Sequence, residues 1–156
     1  MKRLRSSFSH PAGIDAVDAK LLRLLEKSSR TSTADLARAL GMAPPSVAER
    51  IRRLEEAGVI RRFTVEVDPA ALGYALAAYV RIRPASGQIS RIVELVATIP
   101  EIVECDRVTG DDCFLARVHV RSVEELERLI DRITPYAQTN TSIIQSSPVK
   151  RRLPAL

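Results

Sequence analysis

Cysteine and histidine are scarce in this chain of 156 residues, which has two of each. Cys105 and Cys113 flank an expected turn, while His10 sits near the start and His119 in an expected strand, so neighbouring residues do not assemble a zinc site. The two thiols are expected to be reduced and half-buried, with a redox switch between them as the lesser alternative. Long apolar runs are missing too. None approaches the ~20 residues that span a bilayer, and the opening Met1–Pro11 is basic without the apolar segment of a signal peptide. The expectation is a cytoplasmic protein with no membrane partner. No nucleophile elbow, phosphate loop or metal motif is present, so neither enzyme activity nor a cofactor is expected. Low-complexity sequence is absent, and a hydrophobic content of 46% suffices for a core. The length fits one ordinary domain or two small ones.

What is present centres on Ser32 to Ile60. Leu36, Ala37 and Leu40 recur at helical spacing, and Ser32 or Thr33 can cap the first amides. Gly41 supplies a left-handed residue to end that helix, and Pro44 stands where the next can begin without losing a hydrogen bond. Val47, Ile51 and Leu54 make the buried stripe of the second helix, and Gly58 stops it. Ser46, Glu49, Arg52 and Arg53 point away from the stripe, with Arg50 at its margin. Two short helices across a glycine turn, the second presenting arginines, form a helix-turn-helix that enters a DNA major groove. A merely solvated basic helix is the alternative. The residues assigned to contact double-stranded DNA are Ser32, Pro45, Ser46, Glu49, Arg50, Arg52 and Arg53. Charge agrees. Residues 1–66 hold thirteen Lys/Arg against eight Asp/Glu, a net +5, whereas residues 67–156 hold eleven of each.

Along the chain, residues 1–13 read as a flexible basic arm and 14–60 as the helix-turn-helix domain. Within the latter, Ile14–Ser28 is a first helix with an apolar face of Val17, Leu21, Leu24 and Leu25, and Asp15 and Asp18 favour its positive end. Residues 61–73 read as a strand, Arg61–Val67, with a linker; Arg61 and Arg62 would serve as a small wing. Residues 74–148 alternate strand-helix-strand twice, the βαββαβ ferredoxin-like pattern. The class is therefore α+β, a winged-helix-like helix-turn-helix joined to a ferredoxin-like domain. The sheet face away from the helices, with Ala77, Tyr79, Cys113, Leu115 and His119, reads as too apolar to stay wet and predicts a symmetric homodimer. Residues 149–156 read as a mobile tail.

Three segments carry a resemblance to a known family: I-D-A-V-D-A-K-L-L at Ile14–Leu22, G-M-A-P-P-S-V-A-E-R-I-R-R-L-E-E-A-G-V-I at Gly41–Ile60, and V-E-C-D-R-V-T-G-D-D-C-F-L at Val103–Leu115. In this order and spacing they resemble the Lrp/AsnC, or feast/famine, family of prokaryotic transcription regulators, over residues 14–148. The resemblance implies a DNA-binding head and a regulatory domain that dimerises, often assembles into octamers, and binds an effector, commonly an amino acid, between subunits. It places effector contacts at Val108, Thr109, Gly110, Asp111, Asp112 and Cys113. Two positions depart from the family pattern. Ala43 stands where Ser or Thr often caps the recognition helix, a loss of about 0.5–2 kcal/mol that Pro44 and Pro45 partly offset. Cys113 stands where the loop usually has its second Asp. If that carboxylate receives an ammonium group, then Asp111 or Asp112 replaces it here, or the effector differs, or none binds. The same architecture also occurs in a branch resembling tetrapyrrole decarboxylases, and a sensor acting through mixed oligomers is a third reading.

Overall fold

The computed structural model describes residues 13–156, so the expected basic arm lies outside the described residues except for Gly13. The described chain divides into two compact units: residues 13–65 with the tail Lys150–Leu156, and Glu66–Val149.

The first unit holds three helices, α1 (Ala16–Lys27), α2 (Thr33–Leu40) and α3 (Pro44–Glu56). Asp15 caps α1 through a reciprocal capping box with Asp18, and Ser32 caps α2. Gly41, at φ 68°, ends α2 in the left-handed conformation that a side chain would strain. Leu21, Leu22, Leu25, Leu36, Ala37, Val47 and Leu54 pack as one buried cluster, with Leu24 and Ile51 half-buried against it. The tail, expected to be mobile, is instead held on α1. The Leu153 N–H donates to Glu26 Oε1 at 2.6 Å, and Arg23 Nη1 donates to the Leu156 carbonyl at 3.2 Å.

The strand expected at Arg61–Val67 does not form. Its alternation is real, but among the described residues no strand lies alongside to complete a ladder, and Phe63, Val65 and Val67 remain 47%, 81% and 56% exposed.

The second unit runs β1 (Leu76–Pro84), α4 (Ile89–Ala97), β2 (Ile102–Arg107), β3 (Phe114–Val120), α5 (Val123–Ile133) and β4 (Ala137–Ile143). The antiparallel sheet has the order β2-β3-β1-β4, the ferredoxin-like arrangement. One face is dry: Ala78, Val80, Ile82, Phe114, Ala116, Val118 and Val120 pack with Ile92, Leu126, Leu129 and Ile133 from the helices. The other face corrects the sequence reading. It carries Tyr79, Leu115 and His119, but also Arg81, Arg83 and Arg117, and Arg81 bonds to Asn140 and Ser142 across the β1–β4 ladder. Cys113 packs toward the helix-side core instead. The arginines at alternate positions make this face polar, so apolarity alone does not call for a cover. Cys105 pairs across the ladder with Ala116, three residues along from Cys113, and both thiols are free and half-buried. Burial, then the Asp106 charge, pushes the Cys105 thiol pKa up.

Candidate functional site

The turn before α3 closes through backbone bonds from Met42 N–H to the Ala37 carbonyl at 3.0 Å and from Gly41 N–H to Arg38 at 3.4 Å. Ala43 provides no side-chain cap. Pro44 and Pro45 have no N–H, so one of the two amides that a cap side chain would bond, that of the second helical position, is absent, and this reduces what the missing Ser or Thr costs.

Pro45, Ser46 and Glu49 are exposed along the first half of α3. Glu49 is engaged with Arg52, and Arg52 also reaches Glu56. The bond from Arg52 holds the Glu49 carboxyl below its usual range. Ser32 is engaged as a cap: its Oγ accepts from Asp35 N–H at 3.1 Å and donates to Asp35 Oδ2 at 2.6 Å, lowering the Asp35 pKa.

Arg50 and Arg53 turn the other way, toward α1. Arg50 Nη1 donates to Asp15 Oδ2 at 2.7 Å and Asp18 Oδ1 at 2.8 Å. Arg53 Nη2 donates to Asp18 Oδ2 at 2.6 Å. The Asp18 side chain is 0% exposed, Arg50 23% and Arg53 52%. The Asp18 N–H, followed by Arg50, holds the Asp15 carboxyl below the usual carboxylate range, and the two acids raise the Arg50 pKa. The seven assigned DNA contacts therefore fall into three sets. Pro45, Ser46, Glu49 and Arg52 face out; Arg50 and Arg53 meet over α1, and Ser32 caps α2. Sequence reasoning missed Asp18, which it assigned only to the helix dipole. Its signal was a matching spacing: acids at 15 and 18, arginines at 50 and 53.

All three α3 arginines thus have acidic partners, and the unit's surplus charge lies elsewhere. The first unit carries thirteen Lys/Arg against seven Asp/Glu among its described residues, a net +6; the second carries eight against twelve, a net −4. Lys150, Arg151 and Arg152 belong to the first unit, and neither they nor Arg61 and Arg62 have an acidic partner among the described residues.

In the second unit, the loop Thr109–Cys113 joins β2 to β3. Val108 N–H donates to the Cys113 carbonyl at 2.9 Å, and Cys113 N–H to the Ile82 carbonyl at 3.1 Å. Gly110 has φ 114°, which explains a glycine there. Arg83, at the end of β1, was not anticipated at this loop. Its Nη2 lies 3.8 Å from Asp111 Oδ2 and 3.6 Å from Asp112 Oδ1, close enough for attraction but too long for hydrogen bonds. A cavity of about 540 Å³ lies apart from the loop's five residues, between α4 and β2, bordered by Val93, Val103, Cys105 and Phe114. Among the described residues no helix is long and apolar enough to cross a membrane.

Two family models match the chain: the AsnC-type helix-turn-helix domain over residues 14–55 and the Lrp/AsnC ligand binding domain over residues 77–154. The HTH-type transcriptional regulator LrpC of Bacillus subtilis is 35% identical over 133 residues, which is 85% of this chain and 92% of that protein. The solved structure of B. subtilis LrpC superposes with a TM-score of 0.84 at 34% identity, covering 88% of this chain and 98% of the other. A feast or famine regulatory protein from M. tuberculosis, complexed with L-methionine, gives a TM-score of 0.83 at 30% identity, covering 90% and 97%.

Proposed function

Given that this chain belongs to the Lrp/AsnC family and is a DNA-binding transcriptional regulator, we propose that it recognises specific sequences and answers to an amino-acid effector through changes in dimer and octamer assembly. The observation that carries the DNA half is the outward face of α3, with Pro45, Ser46, Glu49 and Arg52, mounted on a unit of net +6. In a dimer, two such helices would meet major-groove faces about 34 Å apart on a pseudo-palindromic site. The unpartnered, apolar-alternating Phe63–Val67 supports a dimer, because a second copy could supply the missing ladder.

The loop supports the effector half. An amino acid is a zwitterion; Asp111 and Asp112 suit its ammonium group and Arg83 its carboxylate, within a few ångströms of each other. Asp112 would then replace the family's second acid, where Cys113 stands. The M. tuberculosis relative holding L-methionine points to the same ligand class.

Two measurements test this reading. Affinity for an enriched duplex should fall steeply as salt rises, since phosphate contacts release counterions; salt-independent binding would overturn it. A thermal-shift screen of the free amino acids should raise the melting temperature with at least one, and that amino acid should alter the assembly size in light scattering. No shift with any of them would remove the effector.

A further inference from the structure

We propose that Asp18 is a positioning residue for DNA recognition, acting through Arg53, and that Arg50 is a strut with no DNA contact of its own. This rests on the reading of α3 as the helix that enters the groove.

Three observations lead to it. Asp18 is fully buried, and it is the one buried charged residue among those described. Its oxygens receive two successive turns of α3, Arg50 on Oδ1 and Arg53 on Oδ2. The two arginines differ in what remains of them. Arg50 bridges both acids with a side chain 23% exposed, so it has little left to offer a ligand. Arg53 gives one nitrogen to Asp18 and keeps a side chain 52% exposed. A guanidinium is a rigid planar fork with five N–H groups. Anchoring one corner in a buried carboxylate fixes the plane in which the others point, and Arg53 has no further partner among the described residues. Asp18 therefore sets the direction of the Arg53 fork, lowering the ordering cost of a bidentate contact to a base edge or phosphate.

The probe is a duplex enriched by the wild-type protein from a random-sequence pool, compared with its shuffled counterpart. If the pool yields no enriched sequence, the recognition reading itself fails, whatever Asp18 does. With an enriched duplex in hand, Asp18→Asn, measured at a temperature where it is folded by circular dichroism, should lower the ratio of specific to shuffled affinity about tenfold. Shuffled affinity should hold or rise, since a negative charge is removed. In an Arg53→Gln background the same substitution should cost no further discrimination, because its effect passes through Arg53. Equal losses on both duplexes would make Asp18 structural only and overturn the proposal, as would an unchanged ratio or additivity with Arg53→Gln. Should Asp18→Asn fail to fold, Arg53→Lys carries the test. Lysine keeps the charge but is no planar fork, so discrimination should fall while shuffled binding persists; undiminished discrimination would overturn the proposal. Arg50→Lys should leave the ratio unchanged, and a loss matching that of Arg53→Lys would overturn Arg50's role as a strut.

Discussion

The two units of this chain are stabilised in different ways. In the sheet unit, thirteen apolar residues form one buried cluster, and no charged residue is buried as a whole among them. In the helical unit the apolar cluster is about half that size, seven residues, and beside it a buried carboxylate ties α1 to α3. A small three-helix unit buries too little apolar surface to dictate each helix's angle. Hydrophobic burial is non-directional, whereas an ion pair with two bonded arginines has one geometry. Such a pair contributes little net stability over apolar replacements, because desolvation offsets most of its attraction. Apolar packing supplies stability in the sheet unit, while in the head charge supplies orientation.

The largest expected effect lies in the sheet. Ile82→Ala removes a fully buried side chain from the central strand and should cost about 3–4 kcal/mol in urea unfolding of that unit. A loss below about 1 kcal/mol would break the contrast from that side. Next, Asp18→Ala strands Arg53, leaves Arg50 with Asp15 alone and should cost the head about 2 kcal/mol by thermal melting, less than for a wholly buried pair because both arginines keep contact with solvent. Replacing Asp18, Arg50 and Arg53 together with apolar residues of similar volume should restore most of that stability and none of the DNA discrimination. Recovery of both would erase the distinction between orientation and stability.

Smaller effects sharpen the charge contrast. Changing Lys150, Arg151 and Arg152 to Gln should reduce the salt slope of DNA binding by roughly one to two, at about 0.9 per phosphate contact, and leave the sheet's unfolding unchanged. An unchanged slope would detach the tail from the head's electrostatics. The smallest effect is a pH dependence of the sheet unit. Burial, followed by Arg117, lowers the His119 pKa in the folded state. The unfolded chain therefore takes up the proton first, so stability is full above about pH 6.5 and declines as pH falls through that value toward the folded pKa. Urea unfolding on either side of this window should show the decline, and His119→Gln should flatten it.

Much of the fold was legible because its signals are local. Gly41, Ser32 at the start of α2, Ser122 accepting from Glu125 N–H, and the alternation of β1 and β3 each act within a few residues. The elements that carry the candidate site were legible: α3 and the turn after Val108 form where their patterns placed them. Its wiring was not. Helical periodicity put Arg53 on the outside and Arg50 at the margin, yet long side chains reach past the arc that periodicity assigns, and both found Asp18 more than thirty residues away. The alternation of Phe63, Val65 and Val67 signalled a strand, but a strand also needs a neighbour, and the described residues offer none there.

The amino-acid order by itself determined where helices start and stop, which strand faces are dry, and how the βαββαβ order alternates, because caps, turns and periodicity are satisfied by near neighbours. Tertiary structure alone decided that Asp18 would be buried against two arginines, that Arg83 would stand over Asp111 and Asp112, and that the basic tail would settle on α1. The first two are meetings of charges and the third sets Glu26 and Arg23 against backbone groups of the tail; all join residues far apart in sequence, and attraction between them depends on a distance that exists only after the chain has folded.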